Sequence, residues 1–177
     1  KEGDEMKVSA FAHPDGASYI AWLFQGVTWQ FGGKYSDPDF TMHMTDESTI
    51  AAGQFYSDTI HTYGWAVPSK DVQTDFINGF TASSMMSTGS MGGIKGAAEF
   101  EFGTAFLPKK EYFGCCTGGA GLAILSTAAE EKQQPAMEYI AFASNPENTA
   151  FWAQNTGYMP VRKSAADGEI MTKYYEE

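Results

Sequence analysis

The strongest constraint on the fold is a glycine-rich turn that runs directly into an apolar segment, Gly118-Gly119-Ala120-Gly121-Leu122-Ala123-Ile124-Leu125. A continuous apolar run bounded by a turn reads as a strand covered on both faces, not as a half-exposed one, which would alternate. A helix is predicted over residues 132–144, starting near Pro135. Then comes Asn145-Pro146-Glu147-Asn148. Asparagine caps a helix, and proline at the first helical position gives up an N–H that has no partner there anyway. That helix ends at Gly157. Strands and helices alternate upstream as well. Strands predicted over residues 7–12, 83–87, 101–107 and 122–125 alternate with helices over about 15–31, 46–63, 71–80, 91–98 and 165–175. Such alternation implies an α/β layer structure, a central sheet with helices on both faces. No repeat or linker divides the chain, so a single α/β lobe over residues 1–177 is expected.

Composition narrows the function classes. Apolar residues make up 43% and aromatics 15%, enough to build a core. A net charge of −11 argues against nucleic acid, whose phosphates need a basic footprint, and against an anionic membrane surface. No apolar run approaches the ~20 residues of a membrane span. The opening Lys1-Glu2-Gly3-Asp4-Glu5 lacks an apolar leader segment, so the compartment is not legible from targeting. The cysteines, Cys115 and Cys116, are adjacent, and a bridge between neighbours fits disulfide geometry badly. Two small buried or half-buried thiols are expected.

Several motifs could carry chemistry. Ser87-Thr88-Gly89-Ser90 lies between a predicted strand and a helix start. Hydroxyls and free N–H groups there can hold a phosphate or sugar hydroxyls, although ordinary helix capping explains the same residues equally well. The segment is not a phosphate-binding P-loop, because the Gly-Lys-Ser/Thr ending is missing. Gly118-Gly119 precedes a strand, whereas a dinucleotide fingerprint must follow one. It can instead bring backbone close to a ligand, or simply turn the chain. Trp22, Trp29, Trp65, Trp152 and Tyr158 are candidate stacking rings; Trp29 and Trp152 read as core. Tyr158 is held between Gly157 and Pro160 on a loop, where exposed aromatics tend to work. His13, His43 and His61 lack metal-ligand spacing. Asp37 and Asp39 look like half of a calcium loop without its glycine and final glutamate. No nucleophile–base set can be assembled, so neither an enzyme nor a cofactor is expected.

Taken in order, Ser87-Thr88-Gly89-Ser90 before a helix, the Phe-Gly-x-x-x-Leu-Pro stretch from Phe102 to Pro108, and the Gly-Gly turn through Thr156-Gly157-Tyr158-Met159-Pro160 resemble the extracellular solute-binding proteins of ABC importers. The sugar and glycerol-3-phosphate binders are the most similar subgroup. The resemblance runs from about Asp15 to Ala165. It implies a periplasmic-binding-protein type II-like lobe: the C-terminal lobe plus part of the crossover of a two-lobed protein, the remainder being absent. It also implies a small-molecule sugar or sugar phosphate as ligand, permease subunits as partners, and a periplasmic or extracellular location with a lipid anchor as an option for the full-length protein. By this likeness the ligand residues are Ser87, Thr88, Ser90, Gly118, Gly119 and Tyr158, with Trp22 as a cleft tryptophan. An arginine used by those binders would lie past Glu177. The alternatives are an α/β enzyme acting on a carbohydrate or phosphorylated small molecule, and an interaction module with exposed aromatics.

Overall fold

A computed structural model describes residues 7–176, which fall into two units: residues up to 86 together with 97–118, and residues 87–96 together with 119 onward. The first unit is built around β1, Phe11–Pro14. This strand pairs in parallel with β2, Ala66–Ser69, in the register Phe11↔Ala66 to Pro14↔Ser69. On its other edge, Ser9 and Ala12 bridge in parallel to Thr81 and Ser84. The hydroxyls of Ser83 and Ser84 add bonds to the carbonyls of Ala10 and Ala12, at 2.6 and 2.8 Å. A parallel pair needs a long crossover. Here α1, Ile20–Gln30, and α2, Glu47–His61, supply it. The short α3, Val72–Ile77, follows, with the Asp71 carboxylate accepting from the N–H of Thr74.

The core of this unit is made of small side chains. Ala12, Leu23, Ala52, Ala66 and Val72 are buried, with Thr28, Thr49 and Thr59 beside them. The spacing of Ile50, Phe55, Thr59 and Ile60 predicts the apolar face of α2; Thr59 is buried, but Ile50 and Phe55 are 56% and 44% exposed, and Thr49 and Ala52 are buried with Thr59. Close approach explains the choice. A methyl at Gly33 would fall 2.6 Å from the Thr49 hydroxyl, so only a small residue fits at that contact.

The predicted sheet needs a larger correction. The fold class is α/β, but of the strands expected at 83–87, 101–107 and 122–125 only the first meets a strand, through the bridge at Ser84 and the bonds of Ser83 to Ala10 and Ala12. Residues 101–107 and 122–125 run without hydrogen-bonded strand neighbours among the described residues. Phe106 is 99% exposed, and Leu122 and Leu125 are exposed as well. Their composition is that of strands covered on both faces, yet a strand exists only with a partner. Conversely, β2 contains Pro68, which the sequence pattern places at the opening of a helix.

In the second unit a 3-10 turn, Thr88–Ser90, leads into α4, Met91–Ala97. Then come α5, Glu130–Ala143, and α6, Pro146–Thr156. α5 begins five residues before Pro135, ahead of the predicted start. α6 follows its signals closely: Asn145 accepts from the N–H of Asn148, and Gly157 closes the helix at φ 89, a left-handed conformation costly for any other residue. The predicted terminal helix is two, α7, Lys163–Ala166, and α8, Glu169–Glu176, parted at Asp167-Gly168. Ala150, Ala153, Ala165 and Met171 form the core, with Tyr174 packed against it.

Candidate ligand-binding site

Within the second unit, the 3-10 turn and the C-terminal end of α6 interlock. Ser87 is the capping residue: its hydroxyl accepts from the N–H of Gly89 at 3.2 Å, and its carbonyl from the N–H of Ser90 at 3.0 Å. Capping thus occupies one hydroxyl of the motif. The hydroxyls of Thr88 and Ser90 make no hydrogen bond among the described residues, and Thr88 is exposed. Tyr158 lies directly against this turn. A Cβ at position 89 would sit 2.5–2.8 Å from its ring carbons and phenol oxygen. A Cβ at position 157 would overlap the carbonyl of Thr88. The two glycines therefore let the α6 terminus close onto the turn. Tyr158 is further fixed by its own N–H, which donates to the Thr156 hydroxyl at 3.2 Å. Its half-buried phenol makes no hydrogen bond among the described residues. Thr88, Ser90 and Tyr158 thus carry three uncommitted hydroxyls on one locked turn. Gly119, also in this unit, is exposed at φ 154, and a methyl placed there would have nothing within 4 Å.

Trp22 and Gly118 come together in the first unit. The indole N–H of Trp22 donates to the carbonyl of Thr117 at 3.2 Å, and a Cβ at 118 would overlap the ring. Tyr19 meets Trp22 edge-on at 6.2 Å. Sequence reasoning names Gly89 and Gly157 but misses the backbone of Thr117 and the packing of Tyr158 on Gly89. The cysteines sit nearby, Cys115 exposed and Cys116 half-buried, both as free thiols. Burial pushes the Cys116 thiol up.

The most telling titratable groups lie outside these clusters. His13, buried on β1, stands between the rings of Phe11 and Tyr56, at centroid distances of 4.8 and 4.1 Å. Desolvation lowers its pKa to about 4. His43 lies on a loop with Nδ1 and Nε2 each 2.8 Å from a carboxylate, of Asp46 and Asp37. These bonds raise its pKa, that to Asp37 most. Asp37 also pairs with Lys34 at 2.5 Å. A small apolar hollow of about 170 Å³ between Ile20, Phe24, Gly53 and Tyr56 includes none of the predicted site residues.

A family profile described as bacterial extracellular solute-binding protein matches residues 4–176. The sn-glycerol-3-phosphate-binding periplasmic protein UgpB of Escherichia coli K12 is 32% identical over 117 residues, 63% of this chain and 27% of that protein. The crystal structure of UgpB from Mycobacterium tuberculosis in complex with glycerophosphocholine superposes at a TM-score of 0.90 with 44% identity, over 99% of this chain and 45% of that one. Maltose-bound MalE3 of T. maritima superposes at 0.72 with 18% identity, over 94% and 46%, a likeness of fold alone. The chain thus spans less than half the length of these relatives.

Proposed function

The chain belongs to the bacterial extracellular solute-binding protein family, and on that premise we propose that it is the part of a two-lobed binding protein that holds a sugar or sugar phosphate of the glycerol-3-phosphate type for an ABC importer. The full protein then works in the periplasm or outside the cell and delivers its ligand to permease subunits without transforming it. The observation that carries this reading is the locked turn on which Thr88, Ser90 and Tyr158 offer uncommitted hydroxyls. Neutral donors held by backbone suit phosphate oxygens and polyol hydroxyls alike, and a ring beside them covers a C–H face. Taken by itself, the first unit has a second candidate contact, Trp22 packed against Gly118. The M. tuberculosis relative, at 44% identity over nearly the whole chain, supports a glycerol-phosphate moiety over a plain oligosaccharide.

The test is calorimetric titration of the intact protein with sn-glycerol 3-phosphate, glycerophosphocholine and maltose. One of the first two is expected to bind, and Tyr158→Ala is expected to weaken it by ~1–3 kcal/mol, the range of a central aromatic anchor. Maltose binding alone, or an affinity untouched by Tyr158→Ala, would overturn the assignment.

A further inference from the structure

The second unit leaves two apolar surfaces uncovered. One is the C-terminal half of α5. Its first turn and a half, residues 130–134, is Glu-Glu-Lys-Gln-Gln and exposed, as a solvated helix should be. From Ala136 to Ala143 the only charged side chain is Glu138. Ala136, Ile140 and Ala143 share one face and are half-buried. Met137 lies to one side of that face, Tyr139 and Phe142 to the other, and all three are exposed. A helix that is apolar on every side belongs in an interior, yet α5 buries no residue. In α6, Phe151 and Trp152 add to this surface; with Tyr139 and Phe142 they are 59–64% exposed. The other uncovered surface is Leu122-Ala123-Ile124-Leu125. No N–H from 119 to 125 has an acceptor among the described residues. The two surfaces adjoin. The Leu125 carbonyl accepts from the N–H of Ala128 at 2.9 Å, and the Gln133 side chain donates to the carbonyl of Ala128 at 2.8 Å, so the segment turns directly into α5.

We propose that residues 122–125 are one strand of a sheet whose other strands belong to the same protein outside residues 1–177, and that the C-terminal half of α5 packs on that sheet. The occupant is argued from length and from composition. The M. tuberculosis relative superposes on 99% of this chain but only 45% of its own, so more than half of that protein has no counterpart here. A second copy could pair one edge of 122–125 across a two-fold axis, whereas an apolar run without alternation calls for a sheet covered on both faces. A net charge of −11 disfavours an anionic lipid surface as the cover. The inference rests on the reading of the chain as part of a two-lobed protein, and it assigns the surface by which the second unit joins the remainder.

Hydrogen exchange in the intact, ligand-free protein tests it. The amides of residues 122–125 are expected to exchange roughly 100-fold or more slowly than in an unstructured chain. Cross-strand NMR contacts from these amides are expected to reach residues outside 1–177, in a protein that light scattering shows to be monomeric. Rapid exchange, or contacts to a segment within 1–177 or to a second copy, overturns the inference. A chemical probe checks α5. With Cys115→Ser and Cys116→Ser as background, Phe142→Cys is expected to react with a maleimide about 10-fold or more slowly than Glu131→Cys, because one position is covered and the other is not. Equal rates overturn the packing of α5; if Phe142→Cys does not fold, the exchange measurement on the unmodified protein still decides. Calorimetric titration with sn-glycerol 3-phosphate and glycerophosphocholine separates the two readings. A protein that binds neither but protects 122–125 loses only its ligand assignment. One that binds and leaves 122–125 unprotected loses only this inference.

Discussion

His13 makes a sharp test of how burial sets protonation. The Thr59 hydroxyl donates its one proton to the carbonyl of Tyr56 at 2.7 Å. It can only accept from His13, 2.9 Å away, so His13 Nε2 carries the hydrogen and Nδ1 is a bare lone pair. That Nδ1 is buried and has no partner among the described residues. A second proton there would find no acceptor, and burial then drives the pKa down to about 4. The folded value is depressed for a base, so the unfolded chain binds a proton in the range where the folded chain does not. Stability is then full above the unfolded pKa of about 6.5 and declines as pH falls from there toward 4. Between pH 7.5 and 4.5 the populations differ by a factor of about 75, or about 2.5 kcal/mol. The residue is 7% exposed, and water there trims the effect to about 2 kcal/mol. His13→Gln keeps an N–H for Thr59 and removes the titration. Urea unfolding of the intact protein and this variant at both pH values is expected to show the extra loss only in the parent. Long-range ¹⁵N NMR of the ring should report the Nε2–H tautomer. A ring titrating near 6.5, an Nδ1–H tautomer, or equal acid sensitivity in both proteins would refute the reasoning.

His43 should behave in the opposite sense. Its pKa is raised by Asp37 and Asp46, so its contribution is complete below an unfolded pKa of about 6.5 and is lost as pH rises through the folded value; Asp37→Asn is expected to lower the pKa read by NMR titration, and no change would contradict the bonding described. Asn145→Ala removes the side chain that accepts from Asn148 and is expected to cost ~1 kcal/mol in urea unfolding, within the range of about 0.5–2 kcal/mol for lost caps.

Local chemistry is legible in the sequence, and pairing is not. Asn145-Pro146 and Gly157 mark both ends of α6 because a cap and a left-handed residue are properties of single positions. The apolar stretches 101–107 and 122–125 have the composition of strands, but strand pairing depends on residues distant in the chain. β2 escapes notice because four residues with a proline carry almost no periodic signal. At the site, Ser87 to Ser90 is recognisable as a motif, while its closure by Tyr158 joins positions about 70 residues apart. The Trp22–Thr117 bond spans 95 positions. Nothing in the helical spacing of Trp22 shows that its N–H meets the carbonyl of Thr117.

The position of β1 between two later segments sets a timetable for synthesis. Phe11 pairs with Ala66, 55 positions on, and Ala12 is met by Ser84, 72 positions on. At ~5–20 residues per second, β1 leaves the ribosome roughly 3–15 s before its neighbours exist. Helices form in about a microsecond, so α1 and α2 can be complete long before either edge of β1 is covered. For those seconds neither β2 nor Ser84 can cover the strand's N–H and C=O groups, and an uncovered strand edge invites pairing with another copy.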